Sequence, residues 1–245
     1  MENEFKNNLN DIEGILKGTI VNKEKSFNYK INDNFLIFNS FNKKIKGKID
    51  FKPFYLLTNL NFNQLNLKKI FSDESFFTDL IKSEILLNEN LNANFNIYSK
   101  KIQGIDHLSN FDLKVFLEEG FIKVKDSSVN WNNAVLINLN NIQLLSEDNE
   151  LKFVGEIYFD FKDLTKFYSY YQVRRNFRKN IKRIKLDFVY NLKQEKMNLD
   201  NLKIDNKSNV KIDNFINDFI FQSQGYFNKV TFRNFVKKFF NVYDG

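Results

Sequence analysis

Apolar and polar residues alternate along most of this chain with a period of two. The alternation is clearest over residues 45–51, 91–97, 111–117, 135–139, 151–161 and 184–192. Between residues 91 and 97, for example, every residue that separates two apolar positions is Asn. A period of two puts alternate side chains on opposite faces of a strand, so these segments predict strands that are buried on one face. Strands covered on both faces read as continuous apolar runs, so one-sided alternation favours a large antiparallel sheet.

A few segments break this period and carry apolar residues at spacings of three and four. They are Leu65–Ile85, Asp163–Ile181, Asp213–Phe221 and Phe232–Phe240. This spacing is typical of amphipathic helices, and Asp163 is a suitable residue to begin one. No linker rich in Pro, Gly or Ser divides the chain, so we predict one mainly β domain over residues 1–245, with a few short helices.

The composition excludes several kinds of chemistry. The chain has no Cys and a single histidine, His107, which rules out a thiol nucleophile, a disulfide and a site built on two histidines. Neither a glycine-rich phosphate loop nor a G-x-S-x-G motif occurs. We interpret His107 as a surface or turn residue and predict that the protein is not an enzyme, with no catalytic residues, no metal and no cofactor.

The net charge of +7 is partly discounted, because Lys, Asn, Ile and Phe are abundant in the manner of an AT-rich genome. The most distinctive basic cluster is Arg174, Arg175, Arg178, Lys179, Lys182 and Arg183. It could contact lipid head groups or an acidic partner, or it could complement the C-terminal end of a helix. Nucleic acid is not expected, because the aromatic residues lie mainly on the predicted inner face rather than among the basic residues.

The apolar face of such a sheet needs a cover. A sandwich or closed barrel would bury the face on itself, whereas an open trough would leave part of it for a ligand with hydrocarbon tails. Periodicity does not choose between these two, because both need the same alternation.

Three early segments, residues 45–56, 65–71 and 82–97, resemble the C-terminal part of AsmA-like proteins. Three later segments, residues 153–168, 185–190 and 199–205, resemble the same family, so the similarity spans about residues 40–240. The resemblance implies a long curved sheet that forms an open apolar groove, as in TamB-like and other bridge-like lipid transfer proteins. It further implies a periplasmic protein that moves phospholipids between the inner and outer membranes or assists outer-membrane assembly.

AsmA-like proteins are held in the inner membrane by an N-terminal helix. The present sequence has neither a run of about 18 to 20 apolar residues nor the basic-then-apolar order of a signal peptide. We therefore expect a C-terminal fragment of a longer membrane-anchored protein, associated with the inner membrane through sequence that is not present here.

On this hypothesis the partner is a phospholipid or another lipid, whose acyl tails lie along alternate strand residues. The predicted lining is Phe51, Phe95, Ile97, Val115, Ile137, Phe153, Phe159, Leu186 and Phe188. The alternative is a non-enzymatic β-sandwich scaffold that binds a protein through its sheet edge or through the basic cluster.

Overall fold

The protein is mainly β, as predicted, with few and short helices. The computed structural model describes residues 3–8, 11–20, 23–67, 88–147, 150–191, 194, 196–222 and 229–243. The first strands are β1 Asn3–Asn8, β2 Asp11–Ile20, β3 Lys23–Ile31, β4 Phe35–Ser40, β5 Ile45–Phe51, β6 Phe54–Leu65, β7 Ala93–Ile102 and β8 Ile105–Glu118. They are followed by β9 Phe121–Val124, β10 Ser127–Trp131, β11 Val135–Glu147, β12 Glu150–Phe161, β13 Arg183–Asn191, β14 Lys196–Ile204 and β15 Lys207–Ser208.

The chain forms two compact units. Unit 1 comprises residues 1–106 and 110–123, and unit 2 comprises residues 107–109 and 124–245. Within unit 1, β1 to β8 are hydrogen-bonded neighbours in chain order, and within unit 2 the same holds for β10 to β15. The single domain over residues 1–245 stays a prediction, because two compact units can belong to one domain.

Among the strand pairs whose register the structure describes, all but one run antiparallel, as the alternation predicted. Strands β6 and β7 pair in parallel, with Leu56 opposite Ala93 and Leu60 opposite Ile97. Residues 66–92 connect these strands, and a parallel pair needs a crossover of about a dozen residues or more. The helix predicted over Leu65–Ile85 falls in this connection and lies outside the described residues, apart from its first three positions.

Asn and Asp supply many of the backbone positions that would otherwise need glycine. Left-handed φ values of 47°, 53° and 52° occur at Asn132, Asn133 and Asn141. The first two form the turn between β10 and β11, and the third lies where the register between β11 and β12 shifts. Asn tolerates this conformation because its short side chain can hydrogen-bond locally, so the chain makes tight turns with few glycines.

Three helices are described, and all of them belong to unit 2. They are α1 Leu164–Tyr171, α2 Val210–Gln222 and α3 Lys229–Val242. Helices α2 and α3 confirm the helices predicted over Asp213–Phe221 and Phe232–Phe240 and extend them at both ends. The side chain of Asn209 caps α2 by accepting a hydrogen bond from the backbone N–H of Lys211 at 3.0 Å.

Helix α1 begins where the sequence predicted and ends earlier. The Asp163 carboxylate accepts a hydrogen bond from the backbone N–H of Lys166 at 3.0 Å, which caps the first turn. Gln172 has a φ of 55° and closes the helix, and Val173 then donates to the carbonyl of Tyr168. Apart from a 3-10 turn at Arg175–Phe177, the chain to Ile181 is not helical, so the helix predicted to reach Ile181 was too long.

Candidate functional site

The apolar side chains of unit 1 form continuous rows that cross the strands. Strand register places six apolar residues from six consecutive strands side by side: Ile12, Ile31, Leu36, Ile49, Leu56 and Ala93. The next row consists of Gly14, Tyr29, Phe38, Gly47, Thr58 and Phe95. Two shorter rows on the same face are Leu16, Phe27 and Ser40, and Ile45, Leu60 and Ile97. We call these residues together the unit 1 apolar face.

Most large side chains of the unit 1 apolar face are half-buried. Leu36, Ile49 and Leu56, at the centre of the first row, are neither fully buried nor fully exposed, and Ile12 at its end is 41% exposed. The buried members are small residues such as Thr58 and Ala93. Within the described residues, no helix covers this apolar surface. Apolar surface that stays in contact with water costs hydration free energy, and extended apolar patches mark sites of interaction.

One close contact sets the local shape of this face. A Cβ atom on Gly47 would lie 2.2 Å from the ring of Phe38, on the neighbouring strand. The Phe38 ring therefore lies flat across the glycine, and it meets Phe27 edge-on with ring centroids 6.4 Å apart. The middle of the second row is therefore formed by an aromatic ring.

The opposite face of the same strands is polar. Lys30 pairs with Asp11 at 2.8 Å and with Glu13 at 3.2 Å, and Lys48 pairs with Asp50 at 2.7 Å. The hydrogen bond from Lys30 holds the pKa of the Asp11 carboxyl below its usual value. The four rows of the apolar face contain no charged residue, so unit 1 has one charged side and one hydrocarbon side.

Unit 2 differs because its own helices cover much of its apolar face. Phe167 of α1 contacts Phe161 of β12 with ring centroids 5.0 Å apart. Helix α3 contributes Phe240, which is 1% exposed and contacts Tyr168 at 5.0 Å between centroids. Helix α2 packs on β14, where Leu202, Ile204, Ile212 and Ile216 are all buried. The three helices therefore contribute to a buried apolar core in unit 2.

An aromatic cluster fixes α1 to unit 2. Trp131 stacks on Tyr171 with centroids 5.3 Å apart and meets Phe167 and Tyr170 edge-on. The Tyr170 hydroxyl lies 3.4 Å from Nδ1 of His107, and burial raises the pKa of the Tyr171 phenol. His107 is thus half-buried among aromatic rings, and its interpretation as a surface or turn residue was wrong. Sequence spacing gave no sign of this contact, because Tyr170 lies far from His107 along the chain.

The predicted lining residues fall into two groups. Phe51, Phe95 and Ile97 share the face that carries the rows of unit 1, and Val115 lies half-buried in the unit 1 part of β8. Strand register places the other five on one face of unit 2: Ile137, Phe153, Phe159, Leu186 and Phe188. Leu186 and Phe188 are each 7% exposed, so these two lie in the buried core of unit 2, and their role as lining residues stays a prediction.

The sequence interpretation missed several central members of the unit 1 apolar face. Leu36, Phe38 and Leu56 were not among the predicted lining residues, although the register places them in the middle of the rows. Alternation over residues 27–31, where Phe27, Tyr29 and Ile31 are separated by polar residues, was the signal that could have extended the prediction to β3.

The predicted basic cluster lies in unit 2, where several members have partners within the protein. Arg183 Nε donates to Asp160, and its guanidinium lies 5.4 Å from the centre of the Tyr158 ring. Arg178 Nε donates to the carbonyl of Val173 at 3.0 Å. Arg174 and Arg175 are exposed at the 3-10 turn, as is Lys182 at the start of β13. The role of the basic cluster in contacting head groups or a partner stays a prediction.

The described residues contain no group of three or more His, Asp or Glu side chains placed to hold a metal ion. Among the same residues, none of the helices combines the length and the apolar character that a bilayer crossing requires.

In comparisons with protein-family models, with curated proteins and with solved structures, nothing matches this chain.

Proposed function

We propose that this protein binds the hydrocarbon chains of a lipid along the unit 1 apolar face, and that it moves lipids rather than transforming them. The observation that carries the proposal is the contrast in burial described above. The large side chains in the rows of unit 1 are half-buried or exposed, whereas the apolar face of unit 2 combines half-buried Ile137, Phe153 and Phe159 with a buried core that includes Leu186, Phe188 and Ile204.

The dimensions of the rows suit an acyl chain. Six strands at a spacing of about 4.8 Å give a row of about 24 Å, which exceeds the roughly 15 Å of hydrocarbon in one bilayer leaflet. The rows contain no charge, so an extended tail would meet hydrocarbon, Gly, Thr, Ser and the phenol of Tyr29. Each buried methylene contributes about 0.8 kcal/mol relative to water, so contact with this face offsets part of the cost of taking a tail out of a bilayer.

The resemblance to AsmA-like proteins extends this proposal to a substrate and a place. The substrate would be a phospholipid, carried in the periplasm between the inner and outer membranes or delivered for outer-membrane assembly. The basic cluster from Arg174 to Arg183 would then contact head groups, and inner-membrane association would come from sequence outside this chain.

Two neighbouring leucines of β6 allow a matched test. Leu56 lies on the unit 1 apolar face and Leu57 on the opposite face, and both are half-buried. We expect Leu56→Glu to abolish binding of a fluorescent fatty acid and to reduce co-purified lipid, because the new carboxylate lies in the first row. Leu57→Glu should bind as the parent protein does, since it changes only the polar face.

Circular dichroism of both variants checks that the sheet remains folded. Lipid extraction and mass spectrometry of the parent protein test the proposal directly. A parent protein without bound lipid that also fails to bind the fatty acid contradicts it and favours the scaffold alternative.

A further inference from the structure

One end of the unit 1 sheet carries a concentration of lysine. The turn between β4 and β5 contributes Lys43 and Lys44, both exposed, and Lys46 follows at the start of β5. Strand β7 runs parallel to β6, and Lys100 and Lys101, shortly before its last residue Ile102, are exposed at the same end.

Backbone hydrogen bonds establish that these elements share an end. Phe41 N donates to the carbonyl of Ser26 in β3 at 3.2 Å, and Asn61 N of β6 donates to the carbonyl of Lys44 at 2.7 Å. In the parallel pair, Asn61 is opposite Tyr98, two residues before Lys100. The lysines therefore lie at the same end of the sheet, on the β4–β5 turn, on β5 and on β7, with β6 between the last two strands.

An exposed aromatic residue lies among these lysines. Phe41 in the β4–β5 turn is 54% exposed. It directly follows Ser40, a member of the unit 1 apolar face, so the hydrocarbon side of the sheet leads to this turn.

These lysines have few counter-charges. Elsewhere in unit 1, Lys30 and Lys48 pair with carboxylates, whereas within the described part of the chain none of Lys43, Lys44, Lys46, Lys100 and Lys101 contacts one. In the described part of the adjoining segments, the exposed acidic residues are Glu24 and Asp106, so the described residues of this end carry a net positive charge.

We propose that this lysine-rich end of unit 1 docks on the surface of an anionic lipid bilayer, with Phe41 inserted among the head groups. Juxtaposed lysines are attracted to the negative potential of such a surface, and a partly inserted aromatic ring adds apolar burial. This inference rests on the proposed function, because it names the membrane surface from which the unit 1 apolar face would take its lipid.

The opposite end of the same sheet lacks this combination. Its β5–β6 turn also exposes an aromatic residue, Phe54 at 41%, but Asp33 is exposed on the neighbouring β3–β4 turn and Asp50 lies beside it on β5. Consecutive hairpin turns lie at opposite ends of their strands, so Phe54 provides a natural control for Phe41.

Sedimentation with phospholipid vesicles tests the proposal. The purified chain should sediment with vesicles that contain phosphatidylglycerol and not with pure phosphatidylcholine, and high salt should release it. Lys43→Gln combined with Lys44→Gln should lower the partition coefficient about 30-fold, and Phe41→Ser about fivefold.

Two controls carry the same chemical changes elsewhere. Lys203→Gln combined with Lys207→Gln removes two exposed charges from unit 2, and Phe54→Ser removes an exposed ring from the opposite end. Both should bind as the parent protein does. If the chain binds neutral vesicles equally well, or if the Lys203/Lys207 control loses binding equally, the proposal is overturned in favour of non-specific adhesion. If the chain binds no vesicles, the proposal is overturned in favour of a protein or another acidic partner.

A second measurement separates this proposal from the lipid-binding one. The Lys43/Lys44 variant should still bind monomeric fluorescent fatty acid, whereas Leu56→Glu should lose the fatty acid and still sediment with anionic vesicles. If the parent protein shows only one of these two activities, the proposal for the missing activity is wrong and the other proposal stands.

Discussion

Units 1 and 2 are built from strands with the same alternation, yet their apolar faces have different surroundings. In unit 2, α1, α2 and α3 supply Phe167, Ile212 and Phe240, all of which are buried. In unit 1, the central residues Leu36 and Ile49 are half-buried, and the described residues of that unit supply strands but no helix over them. Alternation therefore states which side of a strand is apolar, while the cover over that side depends on other segments.

The difference can be tested first by truncating one phenylalanine in each unit. Phe240→Ala in unit 2 should cost about 4 kcal/mol of unfolding free energy, because it leaves a cavity among Phe167, Tyr168 and Phe239. Phe27→Ala in unit 1 should cost only about 1 to 2 kcal/mol, since that ring is already half in solvent.

Trp131 fluorescence allows the unfolding of unit 2 to be followed separately. This residue is the only Trp of the sequence and lies buried in unit 2, so its fluorescence in urea follows that unit, whereas far-UV circular dichroism follows both. Equal costs for the two truncations would show that unit 1 is packed as tightly as unit 2.

A second pair of variants adds a methyl group instead of removing a ring. Gly155→Ala in unit 2 places a Cβ 2.8 Å from the Cα of Ile142, and backbone there has no room to yield. We expect a loss of about 3 kcal/mol. For Gly47→Ala in unit 1, the three atoms nearest to the new Cβ all belong to the Phe38 side chain, which is half-buried. Because a side chain can yield where backbone cannot, we expect a loss of about 1 kcal/mol.

Urea midpoints of both glycine variants decide between these outcomes. If Gly47→Ala were as damaging as Gly155→Ala, the Phe38 ring would have to be held in place, and the apolar face of unit 1 would be less adaptable than we infer.

The smallest expected effect concerns an ion pair on the polar face of unit 2. Lys185 hydrogen-bonds Glu156, which also accepts from the Tyr158 hydroxyl at 2.9 Å, and the lysine lowers the pKa of the Glu156 carboxyl from its ordinary 4.5. A lowered folded-state pKa stabilises the protein above the unfolded value, and this contribution is lost as the pH falls through the folded value.

Glu156→Gln should therefore lower the stability of unit 2 by less than about 1 kcal/mol at neutral pH, and the difference should shrink below about pH 4. Urea titrations followed by Trp131 fluorescence at both pH values measure this. The control Asp11→Asn removes an ion pair of unit 1 and should leave the Trp131 transition unchanged. If the stability difference between Glu156→Gln and the parent protein grew as the pH fell, the pKa of Glu156 would be raised on folding rather than lowered.

Much of the local structure follows from the sequence. The alternation over residues 45–51 and 151–161 predicted strands that the structure has as β5 and β12, because a period of two is written into each segment. Asp163 marked the start of α1, since its carboxylate can cap the first turn. The end of α1 could not be predicted from apolar spacing, because Val173 and Ile181 are buried without being helical.

The residues of the candidate site were also predicted only in part, because the alternation within a strand does not show which residues are covered by other segments. Phe51, Phe95 and Ile97 were placed on the correct side of their strands, whereas Leu186 and Phe188 have the same pattern and are buried in a core. A pattern within one strand does not specify which helix packs above it.

The sequence by itself determined the strands, the side of each strand that avoids water and the polar turns that join them, because these depend on residues a few positions apart. Only the tertiary structure decided that β6 and β7 run parallel, that Phe38 lies over Gly47, and that helices cover the face of unit 2. These features depend on which distant segments meet, and their free energies arise from packing between segments that no local pattern records.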